Sequence, residues 1–429
     1  MMLLCISNGN IINGKGGVFL GKDILIEKDR IVEIGTNLSK KVHRVIDATD
    51  MWVIPGLIDA HCHLREPGFE YKEDIVSGTR SAAAGGFTSV ACMPNTEPAI
   101  DNAAMVQYIK LKSASEGKVR VYPIAAITQG RKGKHITEMG EMKKAGAVAL
   151  SDDGDPVSDA NVMRLALEYA KQFGLLIISH CEDKSLVADG VMNEGYVSTI
   201  LGLKGITRAA EEVMVARDVI LSEITGAPIH IAHVSTAGAV DIIRHAKSRG
   251  IPVTCETAPH YFSATDEWVE NYDTNAKVNP PLRTQRDVEA IKEGLRDGTI
   301  DIIATDHAPH HIDEKEVEFN LAANGISGFE TAFSLSYTHL VDTGLLSLEE
   351  LVAKLSTTPA QILGIPGGVL DIGLPADITI VDTKREYIVN RDKFYSKGKN
   401  TPFHGKKLKG KVIYTIVGGK VVYDKEVLT

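Results

Sequence analysis

The stretch VIPGLIDAHCHLREPG, residues 53–68, runs from an apolar segment into two histidines one residue apart. In an extended strand alternate side chains share a face, so His61 and His63 point one way and Cys62 the other. Two neutral imidazoles converging on one point make half of a metal site. Such a pair also occurs as packed histidines, so the rest of the chain must supply the remaining ligands.

Seven further apolar runs of strand length follow: FTSVACMP, VRVYPIAAIT, AVALSDDG, LLIISHCE, PIHIAHVS, PVTCETAP and DIIATDHAP. Helical patterns separate most of them. In NVMRLALEYAKQFG the residues Val162, Ala166, Ala170 and Phe173 recur at helical spacing, and Gly174 is the stop. AVDIIRHAKSRG ends at Gly250, with Pro252 beyond it. Eight buried strands alternating with helices over roughly 300 residues predict a (β/α)8 TIM-like barrel. The alternative is a doubly wound open sheet, which calls for a Gly-rich nucleotide turn after its first strand; VIPGLIDAHCH has none. Short strands with turns fill residues 1–54 and return over 366–429 as DITIVD, VIYTIV and KVVYD, the last two joined by a two-residue turn at Gly418 and Gly419. Both chain ends are therefore expected to close one small β-sandwich domain, with the catalytic barrel, 55–365, inserted between them. NGKGG at residues 13–17 is a turn rather than a phosphate loop, because no helix follows and the Walker spacing is absent.

The 429 residues, 44% hydrophobic and 24% charged, have ordinary globular proportions and ample material for a core. A net charge of −9 without long like-charged blocks argues against a nucleic-acid footprint. The Lys-rich piece KGKNTPFHGKKLKGK, residues 397–411, is expected to be a solvated loop. No apolar run reaches the roughly 18 residues of a membrane span, and the start, MMLLCISNGN, lacks a secretory pattern. Five scattered cysteines in apolar runs read as reduced core fillers of a cytoplasmic chain.

In a barrel of this kind the chemistry sits at the C-terminal strand ends. Those ends carry His61 and His63 on the first run, Asp153 on the fourth, His180 on the fifth, His233 on the sixth and Asp306 on the eighth. In AVALSDDG the larger Val148 and Leu150 belong to the helix side, so Asp153 shares the interior parity and Asp152 is left to cap or turn. His230 has the opposite parity to His233 and lies farther from the strand end, which makes it a structural histidine. Six nitrogen and oxygen ligands without a CxxC pair exceed a closed structural site and fit a one- or two-metal hydrolytic centre. Asp153 has two oxygens with which to bridge. Such a centre lowers the pKa of water from about 16 towards neutrality, and Asp306 is placed to take the proton and deliver it to a leaving nitrogen.

Two signatures resemble the dihydroorotases of the amidohydrolase superfamily, in the class I bacterial and archaeal form, and the likeness extends over essentially the whole chain. DAHCHLREP, residues 59–67, is similar to the family's D-x-H-x-H-x-R, with Cys62 where a small aliphatic residue is usual. ATDHAPHHIDEK, residues 304–315, is similar to its second signature. The resemblance implies reversible closure of N-carbamoyl-L-aspartate to (S)-dihydroorotate in pyrimidine synthesis, with zinc, one or two ions per subunit, although manganese and cobalt suit the same donors. It makes His61, His63 and Asp306 ligands of one metal, His180 and His233 those of the other, and Asp153 the bridge. Arg65, Asn95 and His310 then hold the substrate carboxylate. Asn279 is a further contact, and Gly325 lies in the loop over the ring, where Ala323, Asn324 and Gly325 replace a Pro-Phe-Gly. Lys315 is expected to be a loop charge. The same resemblance admits a homodimer and a complex with aspartate carbamoyltransferase.

Hydantoinases, dihydropyrimidinases and allantoinases share this fold, but they generally bridge their metals with a carboxylated lysine, and SDDG contains none. A catalytically silent subunit that scaffolds aspartate carbamoyltransferase is the rival from another class. Such subunits lack several ligands, and this chain lacks none.

Overall fold

A computed structural model describes residues 3–40, 42–424 and 427–428. Eight parallel strands form the barrel: β1 (Leu57–Cys62), β2 (Phe87–Cys92), β3 (Arg120–Ala125), β4 (Ala149–Leu150), β5 (Leu176–Ser179), β6 (Ile229–Ile231), β7 (Val253–Thr257) and β8 (Ile302–Ile303). They follow one another in sequence order around the sheet, each paired in parallel with the next. The seam between β8 and β1 is closed by a bridge from Cys62 to His307 and by the His63 amide donating to the His307 carbonyl at 2.9 Å. Below it, Thr305 donates from its backbone and its hydroxyl to the two Asp59 oxygens, at 2.8 and 2.6 Å. Burial pushes the Asp59 carboxyl up to about 7 despite those two bonds.

The interior is filled by small and branched side chains, Ala60, Ala91, Ile124, Ala149, Ile178, Ala232, Ile302 and Ala304. The opposite parity, including Val90, Leu150, Ile177, Ile229 and Ile231, packs outward in the larger cluster with the helices. Of the helices read from the sequence, one spans Ala160–Gln172, with Asp159 as its N-cap, and another Ala237–Ser248, capped by Thr236.

The opening stretch is two strands rather than one. Trp52–Pro55 pairs antiparallel with Ile378–Ile388 in the terminal sheet, and only after Gly56 does the chain enter β1. A side chain at Gly56 would run into Thr88, so a glycine lets the backbone change sheets there. The terminal sheet has nine strands drawn from both ends of the chain, around Ile6, Ile24, Val53, Ile378 and Ile416. Its hairpin from Lys407–Val417 to Lys420–Asp424 turns at Gly418 and Gly419. All five cysteines are free and buried.

The Lys-rich piece departs from its expected form. Its last five residues open the strand Lys407–Val417, and ahead of it Asn400, Thr401 and Phe403 are buried. Composition misleads here because the lysines point outward while the residues among them pack against the barrel mouth.

Candidate active site

All six predicted ligands meet at the C-terminal end of the barrel, and all are buried. Asp153 sits at the middle. Its Oδ1 lies 3.4 Å from His61 Nε2, 3.6 Å from His180 Nδ1 and 3.5 Å from His233 Nε2, and its Oδ2 lies 3.5 Å from His63 Nε2. Asp306 Oδ1 stands 3.1 Å from His63 Nε2 and 3.6 Å from His61 Nε2. Metal–ligand bonds of about 2.0–2.2 Å in tetrahedral geometry place neighbouring donors about 3.4 Å apart, so these separations fit a metal. Two buried triads, His61 with Asp153 and His233, and His61 with His63 and Asp306, have this character. His61 Nε2, Asp153 Oδ1 and His180 Nε2 are also buried without a hydrogen-bond partner, a costly arrangement unless a cation serves them. Burial works against ionisation of Asp153, but the imidazoles of His61, His180 and His233 hold its carboxyl well below the usual range.

Strand periodicity carries the residues only part of the way. β4 ends at Leu150 and β8 at Ile303, so Asp153 and Asp306 lie on the loops beyond. Arg65, His233 and Asp306 have φ of 61°, 33° and 46°, the left-handed region that costs an ordinary residue about 1–3 kcal/mol. The twist at His233 explains why it reaches the centre although Ala232 occupies the inward parity. His230 lies deeper in β6, with Thr254 at 2.8 Å from Nδ1 and Glu256 at 3.3 Å from Nε2. Asp152 turns away and accepts from the Ile127 and Thr128 amides, at 2.8 and 3.1 Å, and from the Thr128 hydroxyl. Cys62 donates to the Ala91 carbonyl on the outer side.

The residues expected to contact substrate converge on the same opening. A cavity of about 280 Å³ is lined by Arg65, Asn95, Asn279, His310 and Gly325 together with His63, Asp153, His180, His233 and Asp306. Arg65 donates from Nε to the Pro309 carbonyl at 3.2 Å and sets Nη2 at 3.1 Å from His310 Nε2. Burial, joined by the charge of Arg65, lowers the His310 ring to about 4 even though Glu314 stands 3.1 Å from Nδ1 and the Asn324 carbonyl 2.8 Å from Nε2. Asn95 has a second duty, since its Oδ1 accepts a hydrogen bond from His63 Nδ1 at 2.8 Å and turns Nε2 toward Asp306. Asn279 donates to Glu182 at 2.9 Å. Gly325 has φ 146°, and a Cβ there would stand 2.5 Å from the Ala308 carbonyl, so only glycine fits.

Residues 51–239 match the family described as Dihydro-orotase-like, and residues 277–423 match the one described as Amidohydrolase family. A dihydroorotase of Acetivibrio thermocellus is 59% identical over 425 residues, spanning 99% of this chain and 100% of its own. Another, of Ruminiclostridium cellulolyticum, is 59% identical over 427 residues, 100% of both. The chain belongs to the dihydroorotase family. Among solved structures, an L-hydantoinase (dihydropyrimidinase) of Arthrobacter aurescens aligns with a TM-score of 0.90 at 26% identity, over 100% of this chain and 98% of that one.

Two features of this dihydroorotase-family site escape a reading by strand ends. Glu256 on β7 sits 2.6 Å from His61 Nδ1, so the ring donates there and presents its bare Nε2 to the centre. An acid inside the apolar run PVTCETAP was the available signal. Lys315, expected to be a loop charge, is buried and donates to the Ala323 carbonyl at 2.7 Å. Burial, with Lys277 beside it, brings its ammonium down to about 7.

Proposed function

We propose that the chain interconverts (S)-dihydroorotate and N-carbamoyl-L-aspartate in pyrimidine synthesis, with zinc, one or two ions per subunit, held by His61, His63, Asp153, His180, His233 and Asp306. The observation that carries this reading is the placement of Arg65 and His310 across one small cavity from the carboxylate–imidazole cluster. A guanidinium is the side chain suited to grip a carboxylate with two parallel bonds. A hydantoin bears no such carboxylate. A metal held by these residues would polarise the ring carbonyl and lower the pKa of water at the site. Asp306, at the cavity edge, takes the proton of the attacking water and hands it to the ring nitrogen as the C–N bond breaks; synthesis runs in reverse. Asn95 steadies His63, Asn279 presents its amide to the ring, and Gly325 lets the substrate approach bare backbone.

A hydantoinase activity is the second reading, favoured by the 26% identical structure. Against it, the position between the imidazoles is Asp153 rather than a lysine that could be carboxylated. The deciding experiment is metal stoichiometry of the purified chain, with turnover of dihydroorotate set against a 5-substituted hydantoin. Dihydroorotate is expected to be the better substrate; faster turnover of the hydantoin would reverse the assignment.

Residues 1–54 and 366–429 are taken as the sheet domain and 55–365 as the barrel, the outermost ends lying outside the described residues. Five buried free thiols support a reducing, cytoplasmic setting, and among the described residues no helix is long and apolar enough to cross a membrane. The family resemblance supports a homodimer and association with aspartate carbamoyltransferase, both of which light scattering of the chain alone and mixed with that enzyme would test.

A further inference from the structure

The segment between the strands Ile378–Ile388 and Lys407–Val417 leaves the terminal sheet and reaches the barrel mouth. Asn400, on that segment, is 3% exposed. Its Nδ2 donates to the Gly325 carbonyl at 2.8 Å and the Ala308 carbonyl at 3.1 Å. Its Oδ1 accepts from the His310 amide at 2.9 Å and the Ser327 hydroxyl at 3.0 Å. Its own carbonyl accepts from the Ser327 amide at 2.7 Å. All of the amide's bonding capacity is thus spent on the two loops that carry His310 and Gly325. Asn400 does not line the substrate cavity.

Only an amide satisfies this arrangement. A carboxylate of the same shape would set negative charge against two carbonyl oxygens, and an apolar side chain would strand buried donors and acceptors. The loops have other ties, including the Gly325 amide to the Lys277 carbonyl at 2.9 Å and Lys315 to Ala323. The loops also touch directly, through the Ala308 amide donating to the Ile326 carbonyl at 2.9 Å and His310 Nε2 lying 2.8 Å from the Asn324 carbonyl; Asn400 adds, from a third segment, one side chain bonded to both.

We propose that Asn400 is a positioning residue for substrate: it fixes the His310 loop against the Gly325 loop, and so sets the opening into which Arg65 and His310 receive the carboxylate. This rests on the assignment of Arg65, His310 and Gly325 as substrate contacts. Because Asn400 touches none of the metal-facing residues, its loss should weaken substrate binding while leaving the metal and the chemical step in place.

The test is steady-state kinetics with dihydroorotate on the metal-loaded full chain for Asn400→Asp, Asn400→Ala and Arg65→Ala, with metal content and thermal unfolding measured on each. The expected result for the Asn400 variants is a KM raised by about 10- to 100-fold, kcat within about threefold of the parent and unchanged metal stoichiometry. If Asn400→Ala does not fold, Asn400→Ser, which supplies a hydroxyl for one of the bonds, is read in the same way. A KM within twofold of the parent in folded Asn400 variants, while Arg65→Ala raises it, would overturn the proposal and leave the substrate contacts standing. No change in KM from Arg65→Ala would overturn the contact assignment itself. Folded variants that lose metal, kcat and KM together would show a merely structural role and overturn the proposal as well.

Discussion

The two halves of the cavity are built differently. The metal-facing half hangs from the ends of β1, β4, β5, β6 and β8 or the loops just beyond them, and one of its side chains, His61, is oriented from within the barrel by Glu256 on β7. The substrate half rests on loops, with Arg65 against Pro309, His310 and Gly325 tied by Asn400, and Ala323 tied by Lys315. Precision in the first half comes from sheet geometry, and in the second from hydrogen bonds between segments far apart in sequence. Damage to the first should therefore appear in chemistry and metal affinity, and damage to the second in substrate affinity.

The sharpest break in that division is Asp306→Asn. It keeps an oxygen facing the centre yet removes the base, so turnover should fall by about 10³-fold or more with most of the metal retained. Activity paired with elemental analysis checks it, and a near-normal rate would remove Asp306 from its role. Next in size is Glu256→Gln, for which chelator competition should report metal affinity lower by about 10- to 100-fold, with KM for dihydroorotate little changed once the site is saturated. An unaltered affinity would mean that the Glu256–His61 contact does nothing for the centre. On the substrate side, Arg65→Lys keeps the charge and loses the paired geometry, so KM should rise by about tenfold at constant kcat; an unchanged KM would argue that charge alone suffices.

A last effect concerns stability rather than turnover. Lys315 titrates near 7 in the folded chain against 10.5 when unfolded. Between those values the unfolded state binds more protons, so the contribution of Lys315 to stability grows as pH rises from about 7 to 10.5, with a slope of at most about 1.4 kcal/mol per pH unit. Lys315→Met should remove that slope, which denaturant melts of both proteins at pH 6, 8 and 10 would reveal. Parallel pH profiles would place the Lys315 ammonium in solvent.

The same division explains what could be read from sequence. His61, His63, Asp153, His180 and Asp306 lie at or just beyond apolar runs, where the strand period and the barrel's chemistry at one end point to them. His233 was chosen over His230 by its nearness to the strand end; parity would not place it, because a left-handed residue turns it inward. Glu256 went unseen because β7 showed no ligand at its end, and the carboxylate works one layer beneath the centre. The break at Gly56 was hidden by continuous apolar sequence on both sides. Asn400 is out of reach altogether, since its partners stand 73 to 92 residues away and its neighbours are lysines of ordinary surface character.

The excursion that carries Asn400 also orders events during synthesis. Once the chain through Asp306 is made, every metal-facing residue exists, as do Asp59 and Thr305, which join the last barrel strand to the first. The partner of the His310 amide is translated 90 residues later. In order of synthesis, then, the groups that would face a metal all come before the brace on the loops proposed to hold the carboxylate.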